Sequence, residues 1–262
     1  MEKIIVIDCG HDAVADNCNI GFSGKYKEYD GNWEYGLKLK KYLVLEGFRV
    51  IMTRETNTPL SLTNRARIAI NNKADMFLSI HSDANSNISV GGTTVFYSVN
   101  RIADKQLADT IGNTVATSYG VKFRGSKIRA STNRNDLDYY TVINIAANYK
   151  VMTGDSSVYE VLHVLLLERA FHSNKLEEQL LLNEIISDKS AKNLASKLKE
   201  ILIGGDNKVQ KESWEQRIGE QAIDELMKKH LINNPEDWKN KDLKNENVPL
   251  WLFFEMCNRL SK

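Results

Sequence analysis

The sequence is short of cysteine, of long apolar runs and of any surplus of charge, and each shortage excludes a class of protein. Three cysteines in 262 residues, Cys9, Cys18 and Cys257, imply no disulfide framework. Cys9 and Cys18 are close enough in sequence to meet, but a cytoplasmic thiol normally stays reduced, so no bridge between them is expected. No apolar run approaches the roughly 20 residues needed to span a bilayer, which excludes membrane insertion as an expectation. The 35 Lys and Arg balance 34 Asp and Glu, for a formal net charge of +1. A dedicated nucleic-acid binder ordinarily carries a basic excess, so no nucleic-acid partner is expected. The stretch Met1–Asp8 is too short in its apolar part for an export signal and turns acidic at once. It reads as a first strand, and the protein is expected to be made in the cytoplasm with no export route of its own. What the chain does have is 42% hydrophobic residues, enough for a sizeable core.

Short apolar runs bounded by turn residues alternate with stretches of helical spacing. Residues 3–8, 48–53, 75–80, 91–97 and 163–168 read as strands. Residues 32–46, 62–72, 103–118, 176–182 and 185–203 read as helices. Residues 12–31 are rich in Gly, Asn, Asp and Ser and read as a loop holding Glu28. Between them, 140–143 reads as a further strand, 124–127 as a turn, and 169–174 as the loop after the last strand. Strands alternating with helices predict an α/β fold, a mostly parallel twisted sheet with helices on both faces. After Gly204-Gly205 the composition shifts, and three of the four tryptophans (Trp214, Trp238, Trp251) fall beyond it. The expected organisation is a catalytic domain over 1–203, a linker over 204–209 and a small helical domain over 210–262.

The chemistry-bearing residues gather at predicted strand ends: His11 after the first strand, His81 after the third, and Glu168 after a late one, with Glu28 in the first loop. In open parallel sheets the C-terminal strand edge is where ligands sit. Two imidazoles and a carboxylate are a frequent ligand set for a catalytic zinc ion, with a fourth position for water. A further carboxylate then serves as general base. The inventory holds one Glu for each role, and spacing alone does not say which is which. The bland reading of each histidine is a hydrogen-bonded structural residue.

Several ordered motifs over residues 1–203 resemble those of one known family. Ile5-Val6-Ile7-Asp8-Cys9-Gly10-His11 resembles the family's first strand and Gly-His. Glu28 with Asn32 resembles its Glu-x-x-x-Asn helix entry. Gly47-Phe48-Arg49-Val50 to Thr53-Arg54, and Leu60 to Arg65 followed by Asn71, resemble its next two segments. Ala74-Asp75-Met76-Phe77-Leu78-Ser79-Ile80-His81 is similar to its third strand, and Glu168-Arg169-Ala170-Phe171-His172-Ser173-Asn174 to its Glu-x-Gly-Phe-x-Ser-Asn. On these motifs the chain resembles the type-3 family of zinc-dependent N-acetylmuramoyl-L-alanine amidases, and the resemblance implies one zinc ion held by His11, Glu28 and His81, with Glu168 as the catalytic carboxylate. Glu34 is the competing ligand and reads as a solvated helix residue, since Glu28 alone has the asparagine at the family's offset. The chain departs from the pattern at Cys9, where proline is common, at Asp12-Ala13, which replace glycines, at Ala170, which replaces glycine, and in the length of 135–160.

The implied activity is cleavage of the amide between N-acetylmuramic acid and L-alanine in peptidoglycan, with wall lysis as the result. The alternatives are an inactive wall-binding protein and a zinc peptidase acting within the stem peptide. The 210–262 domain is expected to bind a cell-wall polymer, its tryptophans either stacking on sugars or forming its core. An enzyme joined to a wall binder, without an export signal, resembles a phage or prophage endolysin released by a holin. A sporulation autolysin freed by mother-cell lysis follows the same logic. Of the remaining histidines, His172 reads as a structural residue or a partner of substrate or Glu168, His163 as a packed strand-start residue, and His230 as a helix-end cation. Arg54 reads as a strand-end stabiliser.

Overall fold

The computed structural model describes residues 2–12, 19–55 and 59–204. The expected domain at 210–262, with His230, Cys257 and its three tryptophans, lies outside the described residues, as do Ala13 and Cys18.

The elements run β1 (Ile4–Cys9), α1 (Glu28–Leu45), β2 (Arg49–Met52), α2 (Leu62–Asn71), β3 (Met76–Asp83), β4 (Thr93–Tyr97), α3 (Lys105–Tyr119), β5 (Phe123–Lys127), α4 (Thr141–Thr153), β6 (His163–Phe171), α5 (Lys175–Leu181) and α6 (Glu184–Leu202). A 3-10 turn, Ile102–Asp104, leads into α3. The six strands form one sheet in the order β2-β1-β3-β6-β4-β5. β1 pairs in parallel with β2 and β3, and β3 with β6. β4 runs antiparallel to β6, and β5 lies parallel to β4. The α/β architecture with a mostly parallel sheet is therefore as the sequence predicts.

Strand side chains alternate faces with a period of two. Ile5, Ile7, Leu78, Ile80, Leu165 and Leu167 enter one core with residues of α1, α3 and α6. Val6, Phe77, Val164 and Leu166 enter the other with residues of α2 and α4. Both faces are covered, which is why the central strands read as nearly continuous apolar runs. Among the described residues no helix is long and apolar enough to cross a membrane.

Four local readings need correction. Helix α1 begins at Glu28, not Asn32, so Glu28 stands in a helical first turn rather than in a loop. Its N-cap, Lys27, makes no side-chain cap bond, so the usual start signal is missing. Residues 141–143 open helix α4, not a strand; a four-residue apolar run does not distinguish the two states. Residues 124–127 belong to strand β5, because pairing with β4 overrides the turn signal of Gly125. Strands β3 and β6 extend past the predicted strand ends, to Asp83 and Phe171. His81 and Glu168 therefore sit within paired strands, not after them.

Candidate active site

The ends of β1, β3 and β6 lie side by side, with Cys9 opposite Ile80 and His81 opposite Glu168. Gly10 continues β1, its N–H donating to Ile80 O at 2.9 Å. A Cβ here would lie 2.2 Å from Cε1 of His81, so glycine is what lets the imidazole lie across the β1 end. His11 follows with φ +63°, a left-handed backbone uncommon outside glycine. Arg65 holds this turn from below. Its guanidinium donates to Cys9 O at 2.7 Å and His11 O at 2.9 Å, and pairs with Asp8 at 3.1 Å. Asp8 also accepts from Thr53 and Ser79 at 2.7 Å. Arg54 adds a second donor to Cys9 O and reaches Tyr29 O, the fold-stabilising role expected of it.

His11, Glu28 and His81 each offer one ligand atom, and the three lie within 4.8 Å of one another. Glu28 is buried at the centre. Its Oε1 lies 3.1 Å from His81 Nδ1 and accepts from Ser82 N–H at 3.0 Å and from Asn32 Nδ2 at 3.3 Å. Its Oε2 lies 3.3 Å from His11 Nε2 and accepts from Asn19 at 2.6 Å. Burial alone would raise the Glu28 pKa, but the contacts with His11 and His81 outweigh it and hold the carboxyl well below the usual range. An anionic group at the first turn of a helix also meets the positive end of the helix dipole. Three lone-pair donors of this kind, converging in a partly open site, suit a divalent cation such as zinc.

Glu168 sits across the strand pair from His81. A register slip between His81↔Glu168 and Asp83↔Phe171 gives β6 an extra residue at this point, and such bulges re-aim side chains beside sites. Glu168 is buried, and its Oε2 has no hydrogen-bond partner among the described residues. Burial first, then the charges of Glu28 and Asp83, push its carboxyl well above the usual carboxylate range, against the pull of Arg169. A carboxyl group so placed holds a proton more readily than an exposed one, which suits a group that takes up and returns a proton. Glu168 and the triad share one cavity of about 630 Å³, walled also by Tyr140, Thr141 and His172.

The type-3 amidase family model, described as N-acetylmuramoyl-L-alanine amidase, matches residues 5–200. The chain belongs to this family. It is 29% identical over 170 residues to the probable cell wall amidase LytH of Staphylococcus epidermidis, covering 64% of this chain and 55% of that protein. It is 26% identical over 191 residues to the N-acetylmuramoyl-L-alanine amidase LytC of Bacillus subtilis, covering 72% and 33%. The matches thus span about half or less of these relatives' lengths. Among solved structures, the catalytic domain of CwlV from Bacillus (Paenibacillus) polymyxa superposes with a TM-score of 0.63 at 28% identity, covering 77% of this chain and 98% of that one.

Within this amidase fold the other singled-out residues fall as follows. Glu34 is exposed on α1. Cys9 is buried with a free thiol, and burial pushes its pKa to about 12, so it offers no thiolate. Asp12 lies 3.5 Å from Arg65, and Ala170 is buried in β6. The long 135–160 region supplies α4, whose start walls the cavity through Tyr140, Thr141 and Val142. His163 opens β6 and pairs with Asp104 at 2.7 Å. The sequence reading missed Asn19, Ser82 and Arg169. Arg169, read as a loop residue, is a fully buried strand residue whose guanidinium lies 4.5 Å from the Tyr35 ring centroid. It donates to Tyr119, to Tyr26 and to Asn32 Oδ1, which leaves the Asn32 amide N–H directed at Glu28. The only advance signal was Asn32, one helical turn from Glu28.

Proposed function

We propose that the protein is a zinc-dependent N-acetylmuramoyl-L-alanine amidase that hydrolyses the amide joining N-acetylmuramic acid to the L-alanine of the stem peptide. The observation that carries this reading is the meeting, in one cavity, of His11, Glu28 and His81 with a buried Glu168 oxygen that has no partner among the described residues. Family membership and the names of LytH, LytC and CwlV support the choice of bond. His11, Glu28 and His81 would hold the metal, and zinc bound there supplies a Lewis acid that polarises a carbonyl and acidifies water. Glu168 takes the proton of the attacking water at its open oxygen and returns it to the leaving amine. Asn19, Asn32 and the Ser82 N–H hold the Glu28 carboxylate in place while it serves as ligand. Leu60 to Leu62 and the start of α4 line the cavity beside these residues.

The deciding experiment digests purified peptidoglycan with and without a chelator and identifies the new ends by mass spectrometry. Chelator-sensitive release of stem peptides beginning at a free L-alanine amine is the expected result. New ends inside the stem peptide would make the protein a peptidase, and no new ends despite wall binding would make it an inactive binder. Glu168→Ala should keep the zinc content of the native chain and lose at least about 100-fold in rate. A variant that still clears walls would remove Glu168 from the role of base. We further propose that residues 210–262 tether the enzyme to a wall polymer, raising its local substrate concentration. A chain ending at Ile203 should then hydrolyse soluble muramoyl peptides normally while losing affinity for intact walls. Full wall binding by the shortened chain would reject the tether.

A further inference from the structure

His172 lines the cavity but has no part in the chemistry described above. It stands just past the end of β6, its N–H donating to Asp83 O at 2.9 Å and its carbonyl accepting from Phe22 N–H at 2.9 Å. The residue is buried, and its ring lies stacked 6.0 Å from that of Tyr26. Its Nδ1 is 3.0 Å from Ser82 Oγ, the one side-chain hydrogen bond of the ring among the described residues, and the residue lines the cavity.

Which ring nitrogen carries the proton follows from the direction of a buried hydrogen-bond chain. Arg169 can only donate, and its Nη2 lies 2.9 Å from Tyr26 Oη. The Tyr26 hydroxyl therefore accepts from Arg169 and must send its own proton elsewhere. Its other partner is Ser82 Oγ, at 3.1 Å. Ser82, accepting from Tyr26, has one remaining partner for its own O–H among the described residues, the His172 Nδ1. The reverse arrangement, with Nδ1–H donating to Ser82, would strand the buried Ser82 hydroxyl proton without an acceptor. A buried donor left without an acceptor is costly. Burial also draws the His172 pKa below its usual value, against the charges of Glu28 and Asp83 and the Ser82 backbone, which favours the neutral ring.

We infer that the Arg169–Tyr26–Ser82 chain fixes His172 as the Nε2–H tautomer, so that it presents a hydrogen-bond donor in the cavity for a carbonyl oxygen of the substrate. His172 is then a substrate-binding residue, and Arg169, Tyr26 and Ser82 are positioning residues. The inference rests on the proposed amidase function for the identity of the substrate, but the tautomer does not. The carbonyl belongs either to the acetamido group of the sugar or to the stem peptide, and both present the same acceptor chemistry.

The test uses the full chain, zinc-supplemented, with 15N-labelled histidine. Long-range proton–nitrogen spectra read the tautomer of each ring, and His172→Gln assigns the His172 signals by their loss. An unprotonated Nδ1 and a protonated Nε2 are expected. A protonated Nδ1 overturns the inference. In a Glu168→Gln background, added muramoyl peptide should shift the Nε2–H resonance, and an unmoved resonance also overturns it. With native Glu168, His172→Leu should raise KM about tenfold with unchanged zinc content, and His172→Gln, which restores a donor near the Nε2 position, should recover most of it. Equal KM values for the native and Leu chains count against the inference. Fragments lacking the acetyl group or shortened in the peptide identify the carbonyl, since the fragment that lacks it should no longer distinguish native from Leu. A shifted Nε2–H without cleavage would fail the amidase reading alone. Cleavage with no shift and no KM change would fail this inference alone.

Discussion

His11 holds its place in the site on a left-handed backbone, and that conformation is costly for any residue with a Cβ, about 1–2 kcal/mol. The Arg65 bond to its carbonyl resists relaxation of the turn. The strain is tolerable because the ring then meets Glu28 and lies 4.9 Å from the His81 ring. In chelator-treated protein, His11→Gly should therefore be more stable than His11→Ala by about 1 kcal/mol, measured by urea unfolding. An equal or reversed order would show that the turn is not strained. Neither variant should retain zinc. At this scale the sequence was informative about the four acid, base and ligand candidates, because resemblance attaches roles to residue types at fixed motif positions. It was silent about Arg169, Ser82 and Tyr26. Their roles depend on who donates to whom in three dimensions, and nothing in a strand-end arginine forecasts a cage of tyrosines.

Elements are tied together at their starts as well as at the site. Asp75, just before β3, accepts from Lys3 Nζ and Ile4 N–H at 2.8 Å, fastening β3 to the start of β1. Burial would raise the Asp75 pKa, but the Lys3 and Ile4 bonds outweigh it and the value is lowered. A carboxylate with a folded pKa below its unfolded value of about 3.9 stabilises the fold above that value. The contribution fades as pH falls through the lowered folded value. Asp75→Asn should thus cost about 1 kcal/mol at pH 7, the partly exposed pair being screened by solvent, and the gap should close below about pH 4. A gap unchanged between pH 7 and 3 would contradict the pairing. Helix α6 starts at Asn183, whose side chain accepts from Ile185 and Ile186 N–H, so Asn183→Ala should lower stability by about 1 kcal/mol in thermal unfolding. Both helices after β6 were legible to within a residue or two, since an Asn cap and an amphipathic run announce them. Helix α1 was read four residues late because Lys27 gives no cap signal and Gly31 interrupts the first turn. Strand β5 was hidden because its only reason to be a strand is its neighbour β4.

For the whole molecule, the metal candidates come from β1, α1 and β3, positions 11, 28 and 81 in the chain, so only the folded state brings them together. A cation bound there stabilises by mass action, about 2.7 kcal/mol at a free concentration one hundred times its Kd. Zinc addition should raise the midpoint of thermal unfolding by roughly 5–10 °C, and chelation should reverse it. An unchanged midpoint would mean that the three residues do not form a metal site. The alternation of strands and helices made the α/β class legible, but not the strand order, which is a property of pairing at a distance. That order has one last effect. β6 is the last strand among the described residues, yet it lies in the middle of the sheet, between β3 and β4. While the chain is still leaving the ribosome, β3 and β4 each present an open edge, and the sheet is in two halves until residues 163–171 have emerged. The strand that joins the halves is also the one that carries Glu168. A nascent or prematurely ended chain thus lacks the carboxylate proposed as general base and the sheet's keystone together, so incomplete products of translation would be sticky and, on that proposal, inert.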